Sequence, residues 1–173
     1  MAYDAFLYFT GGEPVVEGET SDTEFSKKKA VEITAFSMGG HNPVNIGSQS
    51  GGAGAGKVDF SAISVMKNTD KATMALFANM CAGTHYPEAV LALRRAGVAA
   101  KTGTVFLQFT FKLVFISSMN WSGGSGQEIC SESVALEYGS IKIEYFAQDK
   151  TGKNTKAGEQ MWSRIKNVAS EEV

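Results

Sequence analysis

Hydrophobic and polar residues alternate most regularly over residues 104–118. Six apolar side chains lie two positions apart there: Val105, Leu107, Phe109, Phe111, Leu113 and Phe115. Because successive side chains of a β-strand point to opposite faces, this period of two predicts one long strand with a single apolar face. At about 3.4 Å per residue the strand would run roughly 40 Å, a length more natural in a barrel wall or a long curved sheet than in a helical domain.

Shorter alternating stretches predict further strands in three places: residues 3–9, 31–35 and 58–64. Residues 134–138 and 141–145 alternate in the same way, and Gly139-Ser140 between them predicts a hairpin. Together these stretches indicate a mainly β domain, either a barrel or a sandwich of antiparallel strands.

One segment, residues 70–82, has the pattern of a helix. Four apolar residues at positions i, i+3, i+4 and i+7 predict one apolar stripe along it: Met74, Phe77, Ala78 and Cys81. Gly83 then suits a left-handed helix stop. Two other stretches, residues 89–96 and 160–168, are each compatible with a helix or a strand. The run at 149–158 is charged and is predicted to be flexible.

Residues 39–56 have no periodic apolar face. A loop of this length is uncommon in a compact domain and is often functional. Residues 51–57 match the start of a phosphate-binding loop, in which backbone amides and a lysine hold phosphate groups. However, Val58 stands where such loops carry a hydroxyl, and a strand pattern follows where they need a helix N-terminus. The pattern therefore favours a glycine-rich connection over a nucleotide site.

Composition and charge exclude several classes of function. The chain has 173 residues and a formal net charge of -2, and its pI of about 5.7 argues against nucleic-acid binding. No run of about 18 apolar residues exists, so we expect no membrane-spanning helix. The start of the chain lacks the basic leader of a secretory signal peptide, so we expect the product to fold in the cytoplasm.

Candidate metal-binding and catalytic residues are few. Cys81 and His85 have a spacing that can supply two metal ligands, but a zinc site usually needs three or four. The other soft donors, His41 and Cys130, lie far away in the sequence. We expect no metal or cofactor, and two reduced, partly buried thiols. No nucleophile stands in a recognisable catalytic motif, so the sequence does not predict an enzyme.

Taken together in chain order, from residue 2 to 148, the segments resemble the haemolysin-coregulated proteins (Hcp), which form the inner tube of the type VI secretion system. The segments that carry the resemblance are AYDAFLYF, VVEGETSD, VEITAFSMG, SGGAGAGKVDF, TDKATMALFANMCAG, THYPEAVLALRRAG, the long strand, GGSG and SVALEYGSIKIEYFAQD. The combination of a glycine-rich loop ending in Gly-Lys-Val, a short helix and then His-Tyr-Pro is fairly specific, although no single segment suffices.

The resemblance implies a β-barrel of antiparallel strands with one flanking α-helix, assembled as a homohexameric ring. In the family, rings stack into a hollow tube that a contractile sheath expels with a spike protein at its tip, and small effector proteins can bind in the lumen. The resemblance also implies a strand at residues 89–95, cytoplasmic assembly and export without a signal peptide. We expect an Hcp-like β-barrel domain over residues 1–148 and a C-terminal tail over 149–173, which is too short for a toxin domain.

Stacked rings need an arm that reaches the next ring, and the loop at residues 39–56 is the candidate. The residues predicted to take part are His41, Gly47, Gly51, Gly52, Gly54, Gly56 and Lys57. Lumen-facing residues are expected among the polar members of the alternating strands. Two alternatives stay open: a monomeric β-barrel that binds a small apolar ligand, and a nucleotide-binding protein.

Overall fold

The computed structural model describes residues 3–45, 54–95, 103–149 and 154–173. Within these ranges the strands are β1 (Tyr3–Thr10), β2 (Val31–Ile33), β3 (Ala35–Ser37), β4 (Gly40–His41), β5 (Val44–Asn45), β6 (Gly54–Ala55), β7 (Asp59–Phe60), β8 (Ile63–Asn68), β9 (Tyr86–Arg95), β10 (Thr104–Ser122), β11 (Ser131–Gln148) and β12 (Asn154–Ser163). An α-helix, α1 (Ala72–Ala82), and a short 3-10 helix at Ser26–Lys28 complete the described elements. Neither helix is long and apolar enough to cross a membrane.

The main sheet nearly closes into a barrel because its two end strands are neighbours in the chain. The strand order is β2-β1-β9-β10-β11-β8-β3, and each pairing is antiparallel. Only Thr34 separates β2 from β3, and its main-chain N–H donates to the Met66 carbonyl oxygen in β8 at 2.8 Å. The predicted β-barrel of antiparallel strands with one flanking α-helix is confirmed.

β10 confirms the long predicted strand, but its apolar face is not continuous. Phe111 is buried in the core. Beyond Leu113 the buried position is Val114, and Phe115 is exposed. Leu113 lies in the left-handed region at φ 54°, which interrupts the alternation of the pleat. The prediction of one apolar face over six positions is therefore wrong.

The predicted hairpin at Gly139-Ser140 is also wrong, because β11 runs unbroken through both residues. Gly139 lies opposite Leu113 in the ladder between β10 and β11. A Cβ on Gly139 would be 3.2 Å from the Leu113 Cβ and 2.8 Å from the Val173 Cγ1. The glycine thus permits close packing instead of a turn.

Two stretches that the sequence left open are strands. Residues 86–95 form β9, as the family resemblance implies, and residues 160–163 belong to β12. β12 pairs with β11 along residues 140–148, so the expectation of a flexible run is wrong for residues 154–158. β8 pairs with residues 131–136 of β11 and β12 pairs with residues 140–148, so the two strands lie one after the other along the same edge of β11.

α1 lies within the predicted helix, and Gly83 follows it in the left-handed conformation at φ 63°. The predicted apolar stripe is wrong, because Met74 is 67% exposed and Phe77 is 44% exposed. The buried side chains lie on another face: Ala72, Thr73, Leu76 and Asn79. Thr73 can be buried because its hydroxyl is hydrogen-bonded to the Glu132 carboxylate at 2.8 Å.

Candidate self-assembly surfaces

The stretch predicted as a long loop contains a two-stranded ribbon, which comprises residues 39–45 and 54–61. β4 pairs with β7, where Gly40 lies opposite Phe60 and His41 opposite Asp59. β5 pairs with β6 further along the ribbon. The described parts of this stretch are therefore paired backbone. The sequence does not reveal the pairing, because short glycine-rich strands carry no side-chain periodicity.

The predicted stacking residues fall into two groups. In or beside the ribbon lie His41, Gly54, Gly56 and Lys57, whereas outside the described residues lie Gly47, Gly51 and Gly52. Gly56 N–H donates to the Pro43 carbonyl oxygen at 3.2 Å, and a Cβ on Gly56 would lie 2.7 Å from the Pro43 Cγ, so the position requires glycine. Lys57 leads into β7, so the helix N-terminus that a phosphate-binding loop requires does not follow it.

The ribbon is open to solvent. Residues 39–44 are all exposed, including the His41 side chain and the apolar side chain of Val44. A two-stranded ribbon by itself is only marginally stable in water, and unpaired strand edges are templates for further pairing. The ribbon is therefore suited to contact a second molecule.

A second surface is the wing, defined as residues 104–112 of β10, residues 140–148 of β11, and β12. One of its faces is apolar and incompletely covered, with Ile143 37% exposed and Tyr145 45% exposed. A cavity of about 490 Å³ opens between this face and the ribbon, and Trp162 lines it. Among the strands described, none pairs with the outer edge of β12. An apolar face beside an unpaired edge is a surface that requires a partner.

The opposite face of the wing is polar and rich in ion pairs. Lys156 Nζ lies 2.7 Å from Glu144 Oε1 and also pairs with Glu159. Lys142 Nζ lies 2.8 Å from Glu171 Oε1. The hydrogen bond from Lys142 lowers the pKa of the Glu171 carboxyl below its ordinary value, and the same contact raises the pKa of Lys142. Paired charges of both signs give this face a hydrated surface without a strong field of one sign.

The sequence analysis did not single out the wing as a site. A signal was present, because Ile141, Ile143 and Tyr145 alternate with Lys142 and Glu144 and so separate an apolar face from a charged one. The alternation cannot show that the apolar face stays uncovered, since that depends on where the ribbon and β8 end in three dimensions.

The described part of the chain contains no cluster of three or more His, Cys, Asp or Glu side chains that could hold a metal ion. His85 lies beside the ring of Phe115, with the ring centroids 5.4 Å apart. Cys81 and Cys130 are free and exposed, so the expectation of partly buried thiols is wrong. The ribbon and the wing are therefore the candidate functional surfaces.

Comparisons with known proteins point to one family. The family model described as "Type VI secretion system effector, Hcp" matches residues 6–145. Among curated proteins, Protein hcp1 of Pseudomonas aeruginosa is 32% identical over 96 residues, which are 56% of this chain. The matched part spans 58% of the length of that relative.

Solved structures share the fold. One described as the structure of a type six secretion system protein superposes with a TM-score of 0.85 at 28% identity, over 98% of this chain and 100% of the other. The crystal structure of Hcp1 from Salmonella typhimurium superposes with a TM-score of 0.74 at 24% identity, again over 98% of this chain and 100% of the other.

Proposed function

Because this chain belongs to the Hcp family of the type VI secretion system, we propose that it is a structural subunit of the secretion tube. Copies of the chain close into a homohexameric ring, and rings stack into a hollow tube. The observation that carries the proposal is the wing, which exposes Ile143 and Tyr145 on one face and ion pairs on the other. Such a surface is completed by another protein molecule rather than by solvent.

In the proposed ring, the apolar face of the wing and the outer edge of β12 pack against the neighbouring copy. The contact is head to tail, and head-to-tail contacts close into a ring when the rotation between copies allows it. Removal of Ile143 and Tyr145 from water supplies the driving force, at about 25 cal/mol for each Å² of apolar area buried. The unpaired edge of β12 becomes covered at the same time, which removes a site of aggregation.

The polar face of the wing then lines the lumen. Its lysine and glutamate side chains already pair with each other, so the wall stays hydrated and offers no large apolar patch to a folded protein. We place small effector proteins against this wall as the cargo of the tube. The chain itself acts without a cofactor and without catalysing a reaction.

The ribbon makes the contact between stacked rings, since it is exposed and has backbone edges left to pair. Deletion of residues 47–55 should leave the barrel folded and the rings intact, and should weaken stacking. Sedimentation of assembled tubes measures the effect, and tubes of unchanged length would reject this role for the ribbon.

The remaining partners and the localisation follow from the same proposal. A contractile sheath surrounds the tube, and a spike protein caps it. The chain assembles in the cytoplasm and is expelled from the cell with its cargo. Immunoblots of culture medium from cells with and without an intact sheath test this step, because export should need the sheath.

The ring itself is tested by negative-stain imaging and light scattering of the purified chain. We expect six-fold rings with a central hole. The variant Ile143→Asp should give folded monomers, because it places a charge on the face that the neighbour must cover. Met74→Asp places the same charge on an exposed apolar position of α1 and should keep the rings. A monomeric parent chain at high concentration, or rings from Ile143→Asp, would contradict the proposal.

The cavity beside the ribbon favours one second candidate, a binding module for a small apolar ligand. Phe60, Ile141 and Trp162 line the cavity, and the buried Trp162 Nε1 has no hydrogen-bond partner in the described part of the chain. This candidate requires a stable monomer whose tryptophan fluorescence changes on ligand binding. The imaging experiment therefore separates it from the tube subunit.

A further inference from the structure

The last residues of the chain, 169–173, fold back onto the polar face of the wing. Glu171 Oε1 lies 2.8 Å from Lys142 Nζ, and Glu171 Oε2 lies 3.7 Å from Lys112 Nζ. The main-chain oxygen of Glu171 accepts a hydrogen bond from the buried Ser140 hydroxyl at 2.9 Å. The wing thus contacts both the side chain and the main chain of this residue, as a protein does when it binds a peptide.

Val173, which is 47% exposed, adds a partial apolar contact. Its Cγ1 would be 2.8 Å from a Cβ built on Gly139, so it approaches β11 where the strand carries no side chain. Glu172, between the two anchors, is exposed and pairs with Lys166 at 2.7 Å. Along the segment, an acidic residue that contacts the wing is therefore followed by a residue that faces solvent and then by an aliphatic residue that contacts the wing.

The charges of the wing around Glu171 indicate which kind of ligand this part of the surface would bind. Glu144, the other carboxylate near Lys142, is 3.8 Å away and already pairs with Lys156 at 2.7 Å. Among the described residues, Lys112 pairs with no carboxylate other than Glu171. Without residues 169–173, Lys112 would have no paired carboxylate, and Lys142 would keep only its longer contact with Glu144. Such a site favours a ligand that brings a carboxylate of its own.

We propose that Lys112, Ser140 and Lys142 form a binding site for acidic peptide segments, and that the C-terminus of the chain occupies this site in cis. The inference rests on the proposed function, because that function places the site on the lumen wall. The partner is then an effector segment in which an acidic residue is followed, two positions later, by an aliphatic one. Loading such an effector displaces residues 169–173.

The tether makes the C-terminus a strong competitor. Residues 164–168 form a hydrogen-bonded turn that holds the segment beside the site, so its effective concentration is at least on the order of the millimolar value of a short flexible linker. A free peptide at micromolar concentration therefore binds the intact chain poorly. An effector that presents several such segments to several subunits of one ring overcomes the competition through avidity.

The test uses a fluorescein-labelled peptide with the sequence of residues 167–173 and fluorescence anisotropy. A chain that lacks residues 170–173 should bind the peptide at least tenfold more tightly than the intact chain. In the shortened chain, Lys142→Gln should weaken binding several-fold, because the ion pair that it removes is partly exposed. Lys27→Gln, which removes an exposed lysine of the 3-10 helix outside the site, should leave binding unchanged. A peptide with glutamine in place of Glu171 should likewise bind several-fold more weakly.

The inference fails if the shortened chain, still folded, binds the peptide no better than the intact chain. It also fails if Lys142→Gln and Lys27→Gln behave alike. Should the shortened chain not fold, the full-length variant Glu171→Gln replaces it, since it weakens the tail without removing residues and should bind the parent peptide more tightly than the intact chain does. Ring formation is imaged on the same samples. If rings form but the peptide does not bind, the peptide site is rejected and the proposed tube subunit stands. If the peptide binds but no rings form, the proposed tube subunit is rejected.

Discussion

The closed end of the barrel and the wing share the strands β10 and β11 but differ in how their surfaces are covered. At the closed end, β8 pairs with residues 131–136 of β11, and Val65 and Leu136 are buried in the core. On the wing, β12 takes the same edge of β11 and leaves Ile143 and Tyr145 exposed. One part of the sheet therefore completes its own core, whereas the other leaves apolar side chains exposed.

The two regions also hold their charges differently. Lys67 is 1% exposed and Glu132 is 0% exposed, and their charged atoms lie 2.9 Å apart at the closed end. Burial by itself would raise the pKa of Glu132, but hydrogen bonds from Lys67, Thr69 and Thr73 hold it below its ordinary value. The wing pair between Lys156 and Glu144 is partly exposed. Similar ion pairs should therefore contribute very different amounts to stability.

The sharpest test of this difference replaces one lysine in each region. Lys67→Met leaves Glu132 buried without its cation, and the free energy of unfolding should fall by about 3–5 kcal/mol. Lys156→Met, on the wing, should cost far less, because its ion pair is exposed to solvent. Urea unfolding of both variants in an Ile143→Asp background, which keeps the samples monomeric, measures both losses by tryptophan fluorescence. Equal losses would show that the two ends are stabilised alike.

A smaller effect is expected at Gly139, where the two regions meet. In Gly139→Ala the new Cβ would lie 3.2 Å from the Leu113 Cβ and 2.8 Å from the Val173 Cγ1. The end of Val173 can move, but the Leu113 Cβ belongs to β10, so we expect a loss of about 1 kcal/mol and a displaced C-terminus. Gly158→Ala is the matched control, because apart from its chain neighbours no heavy atom of the described residues would lie within 4 Å of its new Cβ. An equal shift of the midpoint temperature of unfolding in both variants would contradict this account.

The sequence predicted the parts of the fold whose cause is local. The long strand β10 and the Gly83 stop of α1 depend on neighbouring residues, and both are found in the structure, although the alternation of β10 is interrupted at Leu113. The buried face of α1 was missed because Thr73 is buried through its contact with Glu132, which is 59 residues away in the sequence. A local pattern contains no information about such a partner.

The errors at the junction of barrel and wing have the same origin. Gly139-Ser140 has the composition of a turn, yet Gly139 serves the close approach of Leu113 and Val173. For the candidate surfaces, the glycines in the sequence indicated where the ribbon lies, but they did not predict that its strands pair. It missed the wing and the bound C-terminus, because both depend on which faces remain uncovered once all strands have paired.

The smallest predicted effect concerns the pH dependence of the C-terminal contact on the wing. The pKa of Glu171 is lowered and that of Lys142 is raised, mainly through their mutual hydrogen bond. The lowered carboxyl pKa stabilises the contact above the ordinary pKa of glutamate, about 4.3, and this contribution is lost as pH falls through the lower, folded value. The raised lysine pKa stabilises the contact below about 10.4, and that contribution is lost as pH rises through the higher, folded value.

The contact should therefore be most stable between the two ordinary pKa values and should weaken as pH passes either folded pKa, with a change in stability below about 1 kcal/mol because the pair is partly exposed. NMR signals of residues 169–173 should follow the carboxyl titration on acidification. Glu172 in the same segment also has a pKa lowered by its contact with Lys166, so the comparison is made in a Glu172→Gln background, where Glu171→Gln should remove the step. The buried Glu132 also has a lowered pKa, so acid should weaken the closed end with the same sign. If Glu171→Gln keeps the step, the contact is not held by this carboxylate, and the wing binds its own C-terminus by other means.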